Sequence, residues 1–179
     1  MPPGDTHPRH VCCRCGEIHY LNPKIVTGCI PIWEDKVLLC RRAIEPRSGY
    51  WTLPAGFMEN GESTQEGAVR ETLEEANARV RIQGLYTLFN LPHIDQVYLL
   101  FRGQLLDLDF SPGPESSEVA LFAEGEIPWE ALAFPVVKET LEFYFDDRRK
   151  GRFHSRVGDI HRGTGGLGDY RMRLLMEED

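Results

Sequence analysis

The hexapeptide "RETLEE", residues 70–75, combines a helical pattern with a dense group of acidic residues. Glu71, Glu74 and Glu75 fall at i, i+3 and i+4, so a helix places all three carboxylates on one face. Like charges at that spacing repel by about 0.2–0.5 kcal/mol per pair. A bound cation removes the repulsion, and carboxylate oxygens suit Mg²⁺ or Mn²⁺. The alternative is a solvated helix face, which the lack of lysines at i+4 disfavours.

The surrounding residues predict that this stretch lies within a helix spanning residues 64–77. Ser63 or Thr64 is expected to cap its start, with Glu66 near the N3 position. One side of the helix carries a stripe of residues expected to face the core. The stripe consists of Val69, Thr72, Leu73 and Ala76. The predicted helix therefore has a core face and a carboxylate face.

Segments rich in β-branched and aromatic residues flank this helix and predict strands. A hairpin is expected in residues 24–43, and a loop with a glycine, "LPAGFMENGE", precedes the helix. The remaining predicted strands are "VRIQGLYTLFNL", "QVYLLFRGQLL" and "VALFA". A closing helix is predicted over residues 134–147, with its inward residues at Val136, Val137, Thr140, Leu141, Tyr144 and Phe145. Strands on both sides of a helix, followed by a terminal helix, indicate an α/β fold with mixed layers.

Six positions around the acidic stretch match a known motif in register. They are Gly56, Glu62, Arg70, Glu71, Glu74 and Glu75. Their spacing resembles the Nudix box, G-x5-E-x7-R-E-U-x-E-E-x-G-U, in which U is a bulky aliphatic residue. Thr72 and Ala78 replace aliphatic residues of that pattern, and Asn77 replaces a glycine that ends the helix. Asparagine is the next-best residue for a left-handed cap, and every carboxylate of the motif is retained.

The resemblance covers residues 11–147 approximately and implies a fold and a set of roles. The implied fold is an α/β/α sandwich around a mixed β-sheet, with the box helix and a C-terminal helix. The implied ligands of Mg²⁺ or Mn²⁺ are Glu71, Glu74, Glu75 and the backbone carbonyl of Ala55. Glu74 and Glu75 are also implied as catalytic residues, with Arg70 and Glu62 orienting the ligands.

A further glutamate outside the box often serves such enzymes as a base or ligand. Glu118 is the best placed by analogy and Glu115 is the alternative, although either one is as readily a solvated loop residue. The sequence positions of Glu118 and Glu115 do not show whether either residue is catalytic or only a solvated loop residue.

The resemblance implies hydrolysis of a nucleoside diphosphate linked to another group. ADP-ribose or FAD is expected, because Pro92 lies 15 residues beyond Asn77 and the N-terminal half resembles a subgroup with FAD pyrophosphatases. The motif of the NADH-cleaving branch is missing. Arg41 or Arg42 is expected to hold a phosphate. Trp51, Tyr86 or Phe89 is expected to stack on a ring, although each aromatic residue is more often part of a core.

Three other functions compete with this one. They are a non-catalytic module that binds ADP-ribose or another nucleotide, an enzyme that cleaves nucleoside triphosphates, and a diphosphate isomerase of the same fold. The retained glutamates argue against the module, and the intact spacing argues against the isomerase.

The N-terminal segment "CCRCG" resembles half of a zinc ribbon. Cys12 and Cys15 offer two thiolates, whereas tetrahedral zinc needs four ligands. Either the chain starts inside a longer gene or the ribbon is vestigial. We do not expect the knuckle to hold zinc unless nearby histidines fold back onto it or two chains share one ion as a homodimer.

Composition limits the class and the partners. The net charge of −8 argues against a binder of nucleic acid, and no run is apolar enough to span a membrane. Five cysteines, two of them in apolar runs, suit a reducing compartment, so a cytoplasmic location is expected. The expected divisions are a partial zinc-ribbon segment (1–22), a hydrolase domain (23–149) and a basic tail (150–179). The tail is expected to be either disordered or folded into two short strands, "RFHSRV" and "DYRMRLL".

Overall fold

A computed structural model describes residue 2, residues 4–165 and residues 169–177. Its two α-helices are α1 (Thr64–Ala76) and α2 (Pro135–Lys150). The first strands are β1 (His10–Val11), β2 (Ile18–His19), β3 (Lys24–Trp33), β4 (Lys36–Arg42), β5 (Trp51–Thr52) and β6 (Ala55–Phe57). The later strands are β7 (Val80–Leu91), β8 (Gln96–Leu105), β9 (Ser116–Phe122), β10 (Arg156–Arg162) and β11 (Tyr170–Glu177). No helix in the described ranges is long and apolar enough to cross a membrane.

Most of the strands form one mixed sheet. Its main order is β11-β10-β7-β8-β3-β4-β5, while β6 pairs with β3 and β9 pairs with β4. The pairs β3–β8 and β10–β7 are parallel, and the other pairs of this sheet are antiparallel. The sheet is therefore mixed, as the sequence predicts.

Each face of this sheet buries a separate hydrophobic cluster. Neighbouring residues of β3 show the alternation: Cys29 joins the cluster that includes Ala76 of α1, and Ile30 joins the cluster that includes Leu141 of α2. The two helices therefore cover opposite faces of the sheet, which confirms the expected α/β/α arrangement. All six residues predicted to face inward from α2 are buried.

The ends of α1 follow its sequence closely. Ser63 caps the first turn and forms a reciprocal capping box with Glu66. Asn77 ends the helix with a φ of 49°, in the left-handed region that its short polar side chain tolerates. The predicted core stripe is wrong at Leu73, which is 48% exposed, because this side of the helix borders an open cavity.

The C-terminal segment adds two strands to the main sheet. β10 pairs with β7 and β11 pairs with β10, so residues 156–162 and 170–177 belong to the main sheet. Both strands begin later than the runs "RFHSRV" and "DYRMRLL" predict. Over these ranges the C-terminal segment is therefore part of the sheet and not a separate tail. The predicted boundaries of the partial zinc-ribbon segment (1–22) and of the following domain (23–149) stay a prediction.

Candidate active site

A large cavity lies where α1, the β6 segment, the start of α2 and the two C-terminal strands meet. Its volume is about 1210 Å³, and ligand pockets commonly measure roughly 300–1,000 Å³. Its acidic lining residues are Glu45, Glu59, Glu71, Glu74, Glu75, Glu115 and Asp169. Its basic lining residues are Arg42, Arg47, Arg70 and Arg162. The cavity is therefore somewhat larger than a common ligand pocket and carries charged groups of both signs.

Backbone of β6 forms one wall of the cavity against α1. Gly56 pairs with Thr27 of β3, and its α-carbon faces the carboxylate of Glu71. A Cβ at Gly56 would overlap that carboxylate, so glycine permits the close approach of the segment to the helix. The packing explains why Glu71 is buried although it lies on a charged stretch.

Arg70 organises the carboxylates of this wall. Its guanidinium donates two hydrogen bonds to Glu62, at 2.8 and 3.0 Å, and a third to the carbonyl oxygen of Phe57, at 3.1 Å. It also contacts Glu71 at 2.7 Å and Glu74 at 3.0 Å. The bond from Arg70 is the main reason that the pKa of Glu62 falls to about 2. Arg70 and Glu62 thus hold the loop and the helix in a fixed relation.

Glu75 is the most unusual group in the cavity. Its side chain is almost fully buried, and its Oε2 atom has no hydrogen-bond partner among the described residues. Burial, and then the charge of Glu71, raise the pKa of Glu75 to about 8. Burial also raises the pKa of Glu71, against the opposing effect of Arg70. A divalent cation would supply the missing partner and favour the ionised form of both carboxylates.

The donor set therefore fits Mg²⁺ or Mn²⁺, which take carboxylate and carbonyl oxygens. Glu71, Glu74 and Glu75 all line the cavity, as does Ala55. Within the described ranges, however, no three His, Cys, Asp or Glu side chains converge as an enclosed metal site. Glu71 and Glu74 instead contact Arg70, so metal binding requires these side chains to exchange Arg70 for the ion.

The structure separates the two candidates for the additional glutamate. Glu115 lines the cavity, and its charge contributes to raising the pKa of both Glu71 and Glu75. Glu118 does not line it; this residue lies across from Arg41 on the β4–β9 pair and forms an exposed ion pair at 3.4 Å. The geometry therefore favours Glu115, and the preference for Glu118 on sequence grounds is not supported.

Of the residues expected to bind the substrate, some line the cavity and others do not. Arg42 lines the cavity, with its guanidinium 5.2 Å from the ring centroid of Phe134, whereas Arg41 points to Glu118. Trp51 packs edge-on against Phe122 at a centroid distance of 4.9 Å, outside the cavity lining.

Tyr86 and Phe89, the other aromatic candidates, are both fully buried in the core. The hydroxyl of Tyr86 donates a hydrogen bond to Asp147 at 2.7 Å. The expectation that either residue stacks on a substrate ring is therefore wrong, because neither reaches the cavity.

Other aromatic residues take this place, and the sequence analysis missed them. Tyr98, Phe134 and Tyr170 line the cavity from β8, the start of α2 and β11. Nothing local distinguishes these residues from core aromatics, because their position depends on which strands become neighbours. Phe134 carries one weak signal, since it immediately precedes the proline that begins α2.

The cysteine knuckle lies outside the cavity, between β1 and β2. The amide of Cys12 donates to Glu17 at 2.8 Å and the amide of Gly16 donates to Cys12 at 2.9 Å, which closes a tight turn. The amides of Cys15 and Arg14 lower the pKa of Cys12, which favours the thiolate that zinc binds. Zinc at this knuckle stays a proposal.

Two family models match the chain. Residues 22–146 match the NUDIX domain, and residues 1–21 match the zinc-ribbon model described as Nudix N-terminal. A NUDIX hydrolase from Nitrosomonas europaea has a crystal structure that superposes with a TM-score of 0.88. It is 59% identical and covers 90% of this chain and 92% of its own.

Relatives with described activities are more distant. The ADP-ribose pyrophosphatase of Methanocaldococcus jannaschii is 29% identical over 119 residues, which are 64% of this chain and 69% of that protein. The NAD-capped RNA hydrolase NudC of Photorhabdus laumondii is 37% identical over 73 residues, or 40% of this chain and 27% of that protein. An ADP-ribose pyrophosphatase from Streptococcus suis shares the fold, with a TM-score of 0.62 and 24% identity over 76% of this chain and 99% of its own.

Proposed function

Because the chain belongs to the Nudix hydrolase family, we propose that it cleaves ADP-ribose or FAD at the pyrophosphate, with Mg²⁺ or Mn²⁺ bound by the carboxylates of α1. The products are AMP and the other phosphorylated half. The observation that carries this proposal is Glu75, whose buried, unpartnered oxygen borders a cavity lined with both acidic and basic groups. A site that only bound a nucleotide would not need a buried carboxylate there, since it repels phosphate.

Each residue of the wall has a separate task in the proposed reaction. Glu71, Glu74 and Glu75, with the carbonyl of Ala55, hold the metal, which when bound neutralises the phosphates and polarises water. Arg70, released from Glu71 and Glu74, keeps its two hydrogen bonds to Glu62 and so fixes the helix against the β6 segment.

Two residues outside α1 complete the site. Glu115 accepts the proton of the attacking water, since it is the glutamate of the β4–β9 region that lines the cavity. Arg42 donates hydrogen bonds to a phosphate, because its guanidinium is the basic group whose charge acts on Glu75.

The cavity also supports a substrate with two parts. Pro92 begins a short 3₁₀ turn, Pro92–Ile94, and the two residues after it, His93 and Ile94, line the cavity. The proline thus sets the position of a lining segment, which gives its spacing from the box a physical meaning. The name of the Methanocaldococcus relative supports ADP-ribose, and the resemblance of the N-terminal half supports FAD.

The experiment separates and quantifies the products by chromatography after incubation at saturating Mg²⁺ with ADP-ribose, FAD, NADH, diadenosine polyphosphates and nucleoside triphosphates. We expect the highest kcat/KM for ADP-ribose or FAD, with AMP as a product. A nucleoside triphosphate as the best substrate contradicts the proposal. Tight binding of ADP-ribose with no turnover of any compound supports the non-catalytic module instead.

Two further proposals concern the setting of the enzyme. The buried thiols of Cys29 and Cys40 have raised pKa values because of burial, which keeps them unreactive and suits a reducing compartment such as the cytoplasm.

Zinc shared between two knuckles would make a homodimer that depends on metal, and metal analysis of untagged protein tests this arrangement.

A further inference from the structure

The two C-terminal strands, β10 and β11, are here named the C-terminal hairpin, and they reach the cavity for a topological reason. β10 runs parallel to β7, with Asp159 in register with Asn90. A hydrogen bond of 2.9 Å from the side-chain amide of Asn90 to Asp159 fixes this register. The carboxyl ends of β7 and β10 therefore lie at the same edge of the sheet, where the 3₁₀ turn Pro92–Ile94 lines the cavity.

Two residues of the hairpin form a pair on its cavity side. Arg162 and Tyr170 lie directly opposite each other in the antiparallel register, and both line the cavity. Ile160, two residues before Arg162, also lines the cavity and packs into the core beneath α2, so this face of the hairpin is the one that faces the site.

Two hydrogen bonds join the ends of the strands next to this pair, on the side of the connection. The amide of Gly163 donates to the carbonyl of Asp169 at 2.8 Å, and the amide of Gly165 donates to its carboxylate at 2.6 Å. These bonds hold the ends of β10 and β11 together beside Arg162 and Tyr170.

Tyr170 is half-buried and packs with its ring against the main core. Burial, and then the charges of Glu139 and Glu142 on α2, raise the pKa of its phenol, which places the hydroxyl near those two glutamates. The Tyr170 ring therefore packs on the core and borders the cavity. Arg162 is exposed at the rim beside it and can donate several hydrogen bonds in one plane.

The hairpin lies far from the carboxylates. β3, which pairs with the β6 segment, is separated from β10 by β8 and β7. Three steps of about 4.8 Å between strands give a distance of roughly 14 Å across the sheet. A single phosphate or nucleobase cannot span that distance, whereas a pyrophosphate with a group on both sides can.

We propose that the C-terminal hairpin is the specificity wall of the cavity, where the Tyr170 ring packs against a planar ring of the substrate and Arg162 donates hydrogen bonds to acceptors on that ring or its sugar. This inference rests on the proposed function and sharpens it. The preferred substrate class is a nucleoside diphosphate joined to a second sugar or ring. A nucleotide with no group beyond its phosphates would not reach the C-terminal hairpin and would make no contact with Arg162 or Tyr170.

The test compares Arg162→Ala and Tyr170→Ala with two matched variants. Arg171→Ala removes the same charge from the neighbouring, exposed position of β11, which does not line the cavity. Tyr170→Phe keeps the ring and removes the hydroxyl. Thermal unfolding shows which variants fold, and steady-state kinetics and calorimetric binding of ADP-ribose and FAD are measured on those.

We expect Arg162→Ala and Tyr170→Ala to raise KM and the calorimetric Kd for the better of the two compounds by about tenfold, with kcat changed by less than about threefold. Arg171→Ala should stay within about twofold of the wild type, and Tyr170→Phe, which keeps the ring, should raise KM and Kd less than Tyr170→Ala does. An equal effect of Arg162→Ala and Arg171→Ala on KM and Kd overturns the inference. If Tyr170→Ala does not fold, the Arg162 and Arg171 variants decide the result.

Failure of the proposed function gives a different result. A wild-type protein that binds ADP-ribose or FAD through Arg162, but hydrolyses neither, overturns the proposed function and leaves the wall standing. A wild-type protein that hydrolyses the panel with no dependence on Arg162 overturns only the wall. A wild-type protein that binds none of these compounds overturns both.

Discussion

Glu75 lies buried beside Glu71, and burial together with the charge of Glu71 raises the pKa of Glu75 to about 8. The unpartnered oxygen of Glu75 belongs to the same carboxyl group. In the metal-free protein this group is therefore largely protonated near neutral pH. The site accepts a cation by losing that proton, so metal binding, ionisation and folding are linked.

The linkage predicts how the free energy of unfolding of the metal-free protein depends on pH. The folded pKa of about 8 lies above an unfolded value near 4.3, so the contribution of Glu75 is complete below about pH 4.3 and is lost as the pH rises towards 8. Urea unfolding in EDTA should show this decline, and Glu75→Gln should flatten it. Added Mg²⁺ should stabilise the wild type more at pH 8 than at pH 6. An unchanged pH profile in Glu75→Gln would refute the assignment.

The separation of Glu115 from Glu118 predicts unequal effects of the same substitution. Glu115→Gln should lower kcat by about 10²-fold or more, because a base in the cavity is lost. Glu118→Gln should change kcat by less than about threefold, because it removes only an exposed ion pair with Arg41. Steady-state kinetics on both variants at saturating Mg²⁺ checks this. If Glu118→Gln lowered kcat more than Glu115→Gln does, Glu118 rather than Glu115 would be assigned as the base.

Gly56 offers a test of the packing between β6 and α1. In Gly56→Ala the added methyl group meets the carboxylate of Glu71 and displaces it. We expect weaker Mn²⁺ binding and a kcat lower by about tenfold or more, with the fold retained, because the far end of a side chain can move. Gly125→Ala is the control, since its Cβ meets nothing within 4 Å. Equal Mn²⁺ affinity in the two variants would show that this contact does not position Glu71.

Asp147 predicts a stability effect remote from the cavity. Its carboxylate accepts bonds from Arg156 at 2.6 and 2.7 Å and from the hydroxyl of Tyr86 at 2.7 Å, all buried. Asp147→Asn removes a buried carboxylate that forms an ion pair with Arg156 and should cost about 3–5 kcal/mol in the free energy of unfolding. Asp146→Asn, at an exposed neighbouring position, should cost about 1 kcal/mol or less. Urea unfolding at pH 7 measures both.

The ion pair between Asp147 and Arg156 also determines how the free energy of unfolding changes at acid pH. Although burial opposes ionisation, hydrogen bonds from Arg156 and Tyr86 lower the pKa of Asp147 below its ordinary value. A lowered folded pKa means that the contribution to stability is present above the unfolded pKa, near 3.9, and is lost as the pH falls below it. The wild type should therefore lose this part of its stability below about pH 4, and Asp147→Asn should not. Similar acid curves for the two proteins would contradict the account.

The sequence predicts the features that depend on local spacing. The capping box at Ser63, the left-handed cap at Asn77 and the inward face of α2 all follow from positions within a few residues of each other. The carboxylate face is also local, because the helical period alone brings the box glutamates together. These features follow from the sequence because no other part of the chain is needed to define them.

The features that the sequence missed depend on distant pairing. Tyr170 reaches the cavity only because β10 pairs with β7, a contact between segments about 70 residues apart. Tyr86, in contrast, alternates onto the buried side of β7 and meets Asp147. Tyr86 is thus fully buried, whereas Tyr170 is half-buried and lines the cavity. The alternation within a strand shows which side chains reach the cavity only once the order of the strands is known.

The central claim is that the carboxylates of α1 bind a divalent cation and carry the hydrolysis. Its most direct test is kcat of Glu74→Gln and Glu75→Gln on the best substrate at saturating Mg²⁺, with folding confirmed by thermal unfolding. Both variants should fold, and kcat should fall by about 10²–10⁴-fold, because a ligand that stabilises the transition state is lost. Turnover close to the wild type in both folded variants would contradict the claim.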